Sequence, residues 1–83
     1  MEPVSVGIDV SKREFVIAVD PSGERWTSET TAAAIATLVA RLRALAPRII
    51  VVEATGGDER ALVVGIAAAE LPIGVVNPWQ ARA

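Results

Sequence analysis

The sequence predicts one α/β domain built from a mixed five-stranded sheet and two helices. Five short segments have the composition of strands, and two longer segments repeat apolar residues at helical spacing. The first three strand segments are joined by short polar turns, and each later strand follows a helix. Short turns join antiparallel strands, whereas strands linked through helices run parallel with right-handed crossovers. With 83 residues, 52% of them hydrophobic, the chain has room for a single small core.

The first three strands are predicted to form an antiparallel meander. Residues 4–10 alternate apolar residues with small or polar ones, and Asp9 is the last polar residue of this strand. Residues 15–19 are nearly all apolar and mostly β-branched, which predicts a strand covered on both faces. Typical turn residues occupy 20–23, and the polar segment 24–30 is predicted as an edge strand.

Two helix–strand units follow the meander. Thr30 or Thr31 is predicted to cap a helix that ends near Ala46, and Pro47 prevents its continuation. The apolar residues of this helix fall on one stripe, which predicts one buried face. The apolar run 48–53 ends in an acid and is typical of a central parallel strand.

The second helix is predicted at about 58–70, followed by a last strand at 71–76. Its start has two interpretations. Thr55 and Asp58 have the spacing of a capping box, which is the interpretation we favour. The alternative is a glycine-rich approach to a phosphate at the helix N-terminus, through the two glycines that follow Thr55.

A three-stranded meander followed by two crossover units has the topology of a ribonuclease-H-like sheet, with strand order 3-2-1-4-5. The first and fourth strands are then parallel neighbours, roughly 4.8 Å apart. Asp9 and Glu53 lie at the matching carboxyl ends of these strands, where open α/β sheets bind ligands. Either acid alone also fits an ordinary solvated strand end. As a pair, the two carboxylates predict a site for a divalent cation.

The composition narrows the chemistry of such a site. Cysteine and histidine are both absent, which excludes disulfides, Cys/His zinc sites, thiol nucleophiles and imidazole bases. Carboxylates favour hard cations such as Mg²⁺ or Mn²⁺. The net charge of −2 argues against a domain that binds nucleic acid by electrostatics alone. No apolar run reaches the roughly 18 residues of a membrane span, so we expect a cytoplasmic protein.

Four residues beside the two acids are candidates for nucleic-acid contact. Ser11 and Lys12 follow the first strand, and Thr55 and Gly56 follow the fourth. A lysine at this place could meet a phosphate, and the same residues also suit a solvated turn and a helix cap.

Two ordered motifs add up to a family resemblance. The segments 6–12 and 51–57, with the tail that begins at Val75, resemble the N-terminal catalytic domain of DEDD-type insertion-sequence transposases of the IS110 family. That domain is similar to the Holliday-junction resolvase RuvC. The resemblance implies a Mg²⁺ site made by four acids, in which Asp9 matches the first aspartate and Glu53 the glutamate.

Some catalytic residues of the family have no match in this sequence. The remaining two aspartates and the serine nucleophile of the family have no counterpart here, so residues 1–83 are interpreted as a partial RuvC-like domain. The full protein is expected to be a bacterial recombinase that cuts and rejoins DNA to move an insertion sequence. Its expected partners are DNA and a guide RNA. Self-association is also expected, through an open sheet face or through the edge strand. The chain alone is expected to be inactive.

Two other classes of function remain possible from the residues. An actin-like or sugar-kinase-like ATPase domain shares the meander, but it carries glycines in the first turn, whereas residues 10–13 contain none. The other alternative is a non-catalytic interaction module in which the two acids have no chemical role.

Overall fold

The computed structural model describes residues 2–53 and 56–76, which form one five-stranded sheet and two helices. The strand order is β3-β2-β1-β4-β5. Strand β1 is antiparallel to β2 and parallel to β4, so the predicted order and directions are confirmed. The elements are β1 Ser5–Val10, β2 Glu14–Asp20, β3 Arg25–Glu29, α1 Ala32–Leu45, β4 Ile49–Glu53, α2 Arg60–Ala68 and β5 Ile73–Val76.

The core lies on one face of the sheet. Both helices pack against this face, and they also contact each other. The strict alternation in β1 and β2 sends every second side chain into the core. The buried residues are Val6, Ile8, Val10, Phe15, Ile17, Val19, Ile50 and Val52 from the sheet, and Ile35, Leu38, Leu42, Leu62 and Ile66 from the helices.

The opposite face, which we call the open face, is not covered by either helix. Val16 and Ala18 of β2 point to this side and are only half-buried, as is Val51 of β4. The prediction that β2 is covered on both faces is therefore wrong for the described residues. A run of apolar residues predicts a buried strand, but it does not show which face a neighbouring element covers.

Helix α1 has the predicted ends. The hydroxyl of Thr31 accepts a hydrogen bond from the backbone N–H of Ala34 at 3.1 Å, which satisfies one free donor of the first turn. Ala46 ends the helix in a left-handed conformation with φ of 48°, and Pro47 follows it.

Helix α2 begins later than predicted. It starts at Arg60, after Glu59, whose side chain forms no capping hydrogen bond. The N–H of Arg60 donates to the carbonyl of Gly57 at 3.3 Å, so a tight turn occupies the residues expected to form the first helical turn. Gly57 has φ of 87°, a conformation that suits glycine. Helix α2 therefore begins two residues after the predicted start near Asp58. The predicted capping box depends on Thr55, which lies outside the described residues.

Neither helix, within the described parts of the chain, is long and apolar enough to cross a membrane.

Candidate functional site

Asp9 owes its position to the alternation of β1. Ile8 and Val10 on either side of it are buried in the core, so the Asp9 side chain projects from the open face and is exposed. It is the next-to-last residue of the strand, next to the turn that leads into β2.

Glu53 reaches the same place from the neighbouring strand. It is the last residue of β4, and it follows the fully buried Val52. The parallel register pairs Asp9 directly with Glu53, as the sequence predicted. The two α-carbons therefore face each other across one strand spacing, roughly 4.8 Å, with both side chains on the open face.

The pair lies in a shallow cavity of about 440 Å³. Its floor is made by small or half-buried residues of β1, β2 and β4, and Arg25 of the edge strand also lines it. Among residues 2–53 and 56–76, the one ion pair joins Arg41 to Glu24, away from this cavity. Neither carboxylate of the pair is thus neutralised by a cationic side chain in the described structure.

The chemistry of this pair suits a hard cation but completes only part of its coordination shell. Carboxylate oxygens are preferred ligands of Mg²⁺, which requires about six oxygens in near-octahedral geometry. Within the described residues no group of three or more acids, histidines or cysteines could hold a metal. The two acids fit as a partial ligand set, to which water or further acids must add.

The four residues predicted to contact nucleic acid differ in their surroundings. Lys12 is exposed in the turn after β1, at the same end of the sheet as the acid pair. The Ser11 hydroxyl is engaged locally, since it donates to the carbonyl of Glu14 at 2.9 Å. Gly56 is exposed. Thr55 lies outside the described residues, and none of the four has a demonstrated role.

Arg25 is the site residue that the sequence analysis missed. It lies on β3, and the register of β3 with β2 places it on the open face beside Ala18. Trp26 packs on the core, so the alternation of β3 points Arg25 to the open face, a direction that the structure supplies.

Comparisons with known proteins bear on the family and the fold of this chain. A family model described as a transposase, of the DEDD type found in the IS110 family, matches residues 6–83. A search of curated proteins found no match. The family match separates the transposase interpretation from the kinase-like alternative.

The fold has a solved counterpart. The chain is similar to RuvC of T. thermophilus, solved in complex with a Holliday junction substrate, with a TM-score of 0.73 and 16% identity. The alignment covers 95% of this chain and 67% of that one. At this identity the similarity establishes the fold. From the family match over residues 6–83, the chain belongs to the IS110-type DEDD transposase family, with a RuvC-like, ribonuclease-H-like fold.

Proposed function

We propose that this chain supplies Asp9 and Glu53 as two of the acidic ligands of a Mg²⁺ or Mn²⁺ site that cuts and rejoins DNA in transposition. The observation that carries this proposal is the direct register of the two acids on adjacent parallel strands. Their exposure on the open face gives a phosphodiester access to the site. Asp9 and Glu53 would hold a divalent cation there, and this ion would supply activation of an attacking oxygen and stabilisation of charge on the reacting phosphate.

The roles of the two acids follow from their places. Asp9 is held between two buried residues of a central strand, so its backbone is rigid and its carboxylate has a defined direction. Glu53 ends its strand and has the longer side chain, which lets it adjust to the cation. Both offer oxygen donors without a competing cationic side chain among the described residues.

The whole protein needs more than this pair. We propose that residues 1–83 are part of a RuvC-like domain, and that the remaining acidic ligands of this domain lie outside residues 1–83. DNA is the proposed substrate and a guide RNA the proposed second partner of the whole protein, by membership of the family. Self-association through the open face or the edge strand β3 is proposed as well, and light scattering over a range of concentrations tests it.

Metal binding tests the role of the pair directly. Titration of Mn²⁺ into the chain, with free Mn²⁺ followed by electron paramagnetic resonance, is expected to show one weak site. Asp9→Asn and Glu53→Gln should each abolish it, because each removes half of the protein ligands. Glu29→Gln is the matched control, since Glu29 is an exposed acid in register with Glu14 of β2, and this second acidic pair has no proposed role in metal binding.

The result that contradicts the proposal is equally specific. If Asp9→Asn and Glu53→Gln bind Mn²⁺ as well as the unchanged chain and Glu29→Gln do, the pair is not the metal site. Circular dichroism of each variant shows whether a lost site reflects lost folding.

A further inference from the structure

Strand β3 lies at one edge of the sheet, with its outer side unpaired in the described part of the chain. Within residues 2–53 and 56–76, no backbone hydrogen bond outside the β2 ladder reaches Arg25, Thr27 or Glu29. A strand edge of this kind presents N–H and C=O groups that can pair with another chain. Proline and lysine, which often block such pairing, are absent from Arg25–Glu29, and the register with β2 is unbroken.

The ladder with β2 determines which residues of β3 direct their backbone groups outward. The N–H of Val19 donates to the carbonyl of Glu24 at 2.8 Å, and the carbonyl of Val19 also accepts from the turn, so both groups of Val19 face β3. Hydrogen-bonded and non-hydrogen-bonded pairs alternate along an antiparallel ladder. Trp26 and Ser28 therefore exchange hydrogen bonds with β2. The first, third and fifth residues of β3 direct their N–H and C=O groups away from the sheet.

Arg25 and Glu29 carry opposite charges at the two ends of β3. With Thr27 between them, both are exposed on the open face. Neither takes part in the one ion pair of the described residues. Glu29 instead faces Glu14 of β2 in direct register, and like charges in this position destabilise a sheet. The edge thus combines outward backbone groups with a cation and an acidic pair that lack opposite charges within the described structure.

We propose that two copies of this chain associate by antiparallel pairing of their β3 strands, with a two-fold axis at Thr27. Thr27 then pairs with Thr27 of the second copy, and Arg25 of each copy pairs with Glu29 of the other. All three are residues whose backbone groups point outward, so each pair exchanges two hydrogen bonds. Each Arg25 also comes next to the acidic pair of the other copy, which offsets the repulsion there. Parallel pairing would place like charges side by side.

This pairing relates the two candidate metal sites to each other. Strand register places Thr27, Val16, Asp9 and Glu53 in one row across β3, β2, β1 and β4. Because the axis passes through Thr27, the rows of the two copies join, and both open faces lie on the same side of one continuous sheet. The two Asp9 α-carbons are then five strand spacings apart, roughly 24 Å. The inference makes the proposed self-association specific, and its consequence for the metal sites rests on the proposed function.

Charge reversal tests the arrangement. Sedimentation velocity over a range of concentrations should show a weak monomer–dimer equilibrium for the unchanged chain. Arg25→Glu and Glu29→Arg should each weaken dimerisation about tenfold, because each makes both end pairs repulsive. An equimolar mixture of the two variants should regain the dimer, since each copy then offers the charge that the other needs. Arg43→Glu, at an exposed position of α1, is the matched control and should leave the equilibrium unchanged.

A second pair of variants tests the backbone contacts. Thr27→Pro removes the central outward N–H, which the β2 ladder does not use, so it should abolish the dimer and retain the fold. Thr27→Val keeps this N–H and should dimerise as the unchanged chain does. Hydrogen exchange followed by nuclear magnetic resonance should show protection of the amides of Arg25, Thr27 and Glu29 that rises with protein concentration. Circular dichroism checks the fold of every variant.

The inference is overturned if the charge-reversed variants associate as Arg43→Glu does, or if their mixture regains no dimer. Association without concentration-dependent protection of the three amides also overturns it and indicates the open face instead. An unchanged chain that stays monomeric up to millimolar concentration does the same. Thr27→Pro retains Asp9 and Glu53, so Mn²⁺ titration of this variant tests the metal site separately, and a failed dimer and a failed metal site are distinguishable results.

Discussion

Asp9 and Glu53 are two like charges in direct cross-strand register, an arrangement that lowers stability when no cation is present. Asp9→Asn should therefore raise the free energy of unfolding by a few tenths of a kcal/mol in metal-free, low-salt buffer. Glu53→Gln should do the same, because either change removes the same repulsion. Urea denaturation measures the effect.

A double-mutant cycle makes this test specific. The variant that carries both changes should gain no more stability than either single change, since both changes remove the same repulsive pair. Additive gains would show that each acid is destabilising for its own reason. Mg²⁺ near saturation should make the unchanged chain more stable than either variant. At about ten times its dissociation constant, Mg²⁺ raises the free energy of unfolding of the unchanged chain by about 1.4 kcal/mol.

The sequence allowed the acid pair to be predicted, but not the arginine beside it. Asp9 is the next-to-last residue of β1 and Glu53 is the last residue of β4, so topology brings them together. Arg25 depends on the pairing of a polar edge strand, whose composition contains little information on register. Its place beside the acids becomes visible only when the side-chain direction of β3 is known.

At the scale of the elements, both helices end in a left-handed residue that is not glycine. Ala46 has φ of 48°, and Glu70, just beyond α2, has φ of 59°. This conformation costs an L-residue roughly 1–2 kcal/mol and costs glycine much less. We therefore expect Glu70→Gly to raise the free energy of unfolding by about 0.5–1 kcal/mol, and Ala46→Gly to act in the same direction.

The control for this prediction is Ala68→Gly, in the last turn of α2. It introduces the same residue where the backbone is helical, so it should lower stability by up to about 1 kcal/mol. Thermal melting of the three variants compares them directly. If all three glycine substitutions lower the melting temperature, backbone strain at Glu70 and Ala46 is not the determining factor.

Sequence periodicity predicted the helices and strands better than it predicted which of their faces are covered. The stripe of α1, its Thr31 cap and the order of the strands follow from local patterns. The start of α2 was mispredicted because the spacing of Thr55 and Asp58 satisfies a capping box, while Gly57 directs the chain through a tight turn first. An open face was expected, but the coverage of β2 on both faces was mispredicted, because hydrophobicity alone does not reveal which layer is present.

At the scale of the whole molecule, the sheet is layered on one side only within the described residues. Helices α1 and α2 cover the core face, while the acid pair and Arg25 lie on the other. The core therefore uses one face of the strands, and the proposed chemistry uses the other. Substitutions on the open face should alter binding with little effect on stability, whereas substitutions in the core should do the reverse.

The same arrangement leads us to predict that the 83-residue chain by itself cleaves no DNA. Two carboxylates provide Mg²⁺ with few of its roughly six oxygen ligands, so we expect a dissociation constant no tighter than millimolar. Two cations about 4 Å apart, as in many phosphoryl-transfer sites, require further acids to neutralise them. The described residues contain no group of three such ligands, and a net charge of −2 does not attract a polyanion. Incubation of the purified chain with supercoiled plasmid and about 10 mM Mg²⁺ or Mn²⁺ tests the prediction that no DNA is cleaved. Cleavage that Asp9→Asn abolishes would show that the pair alone suffices and that no further acids are required.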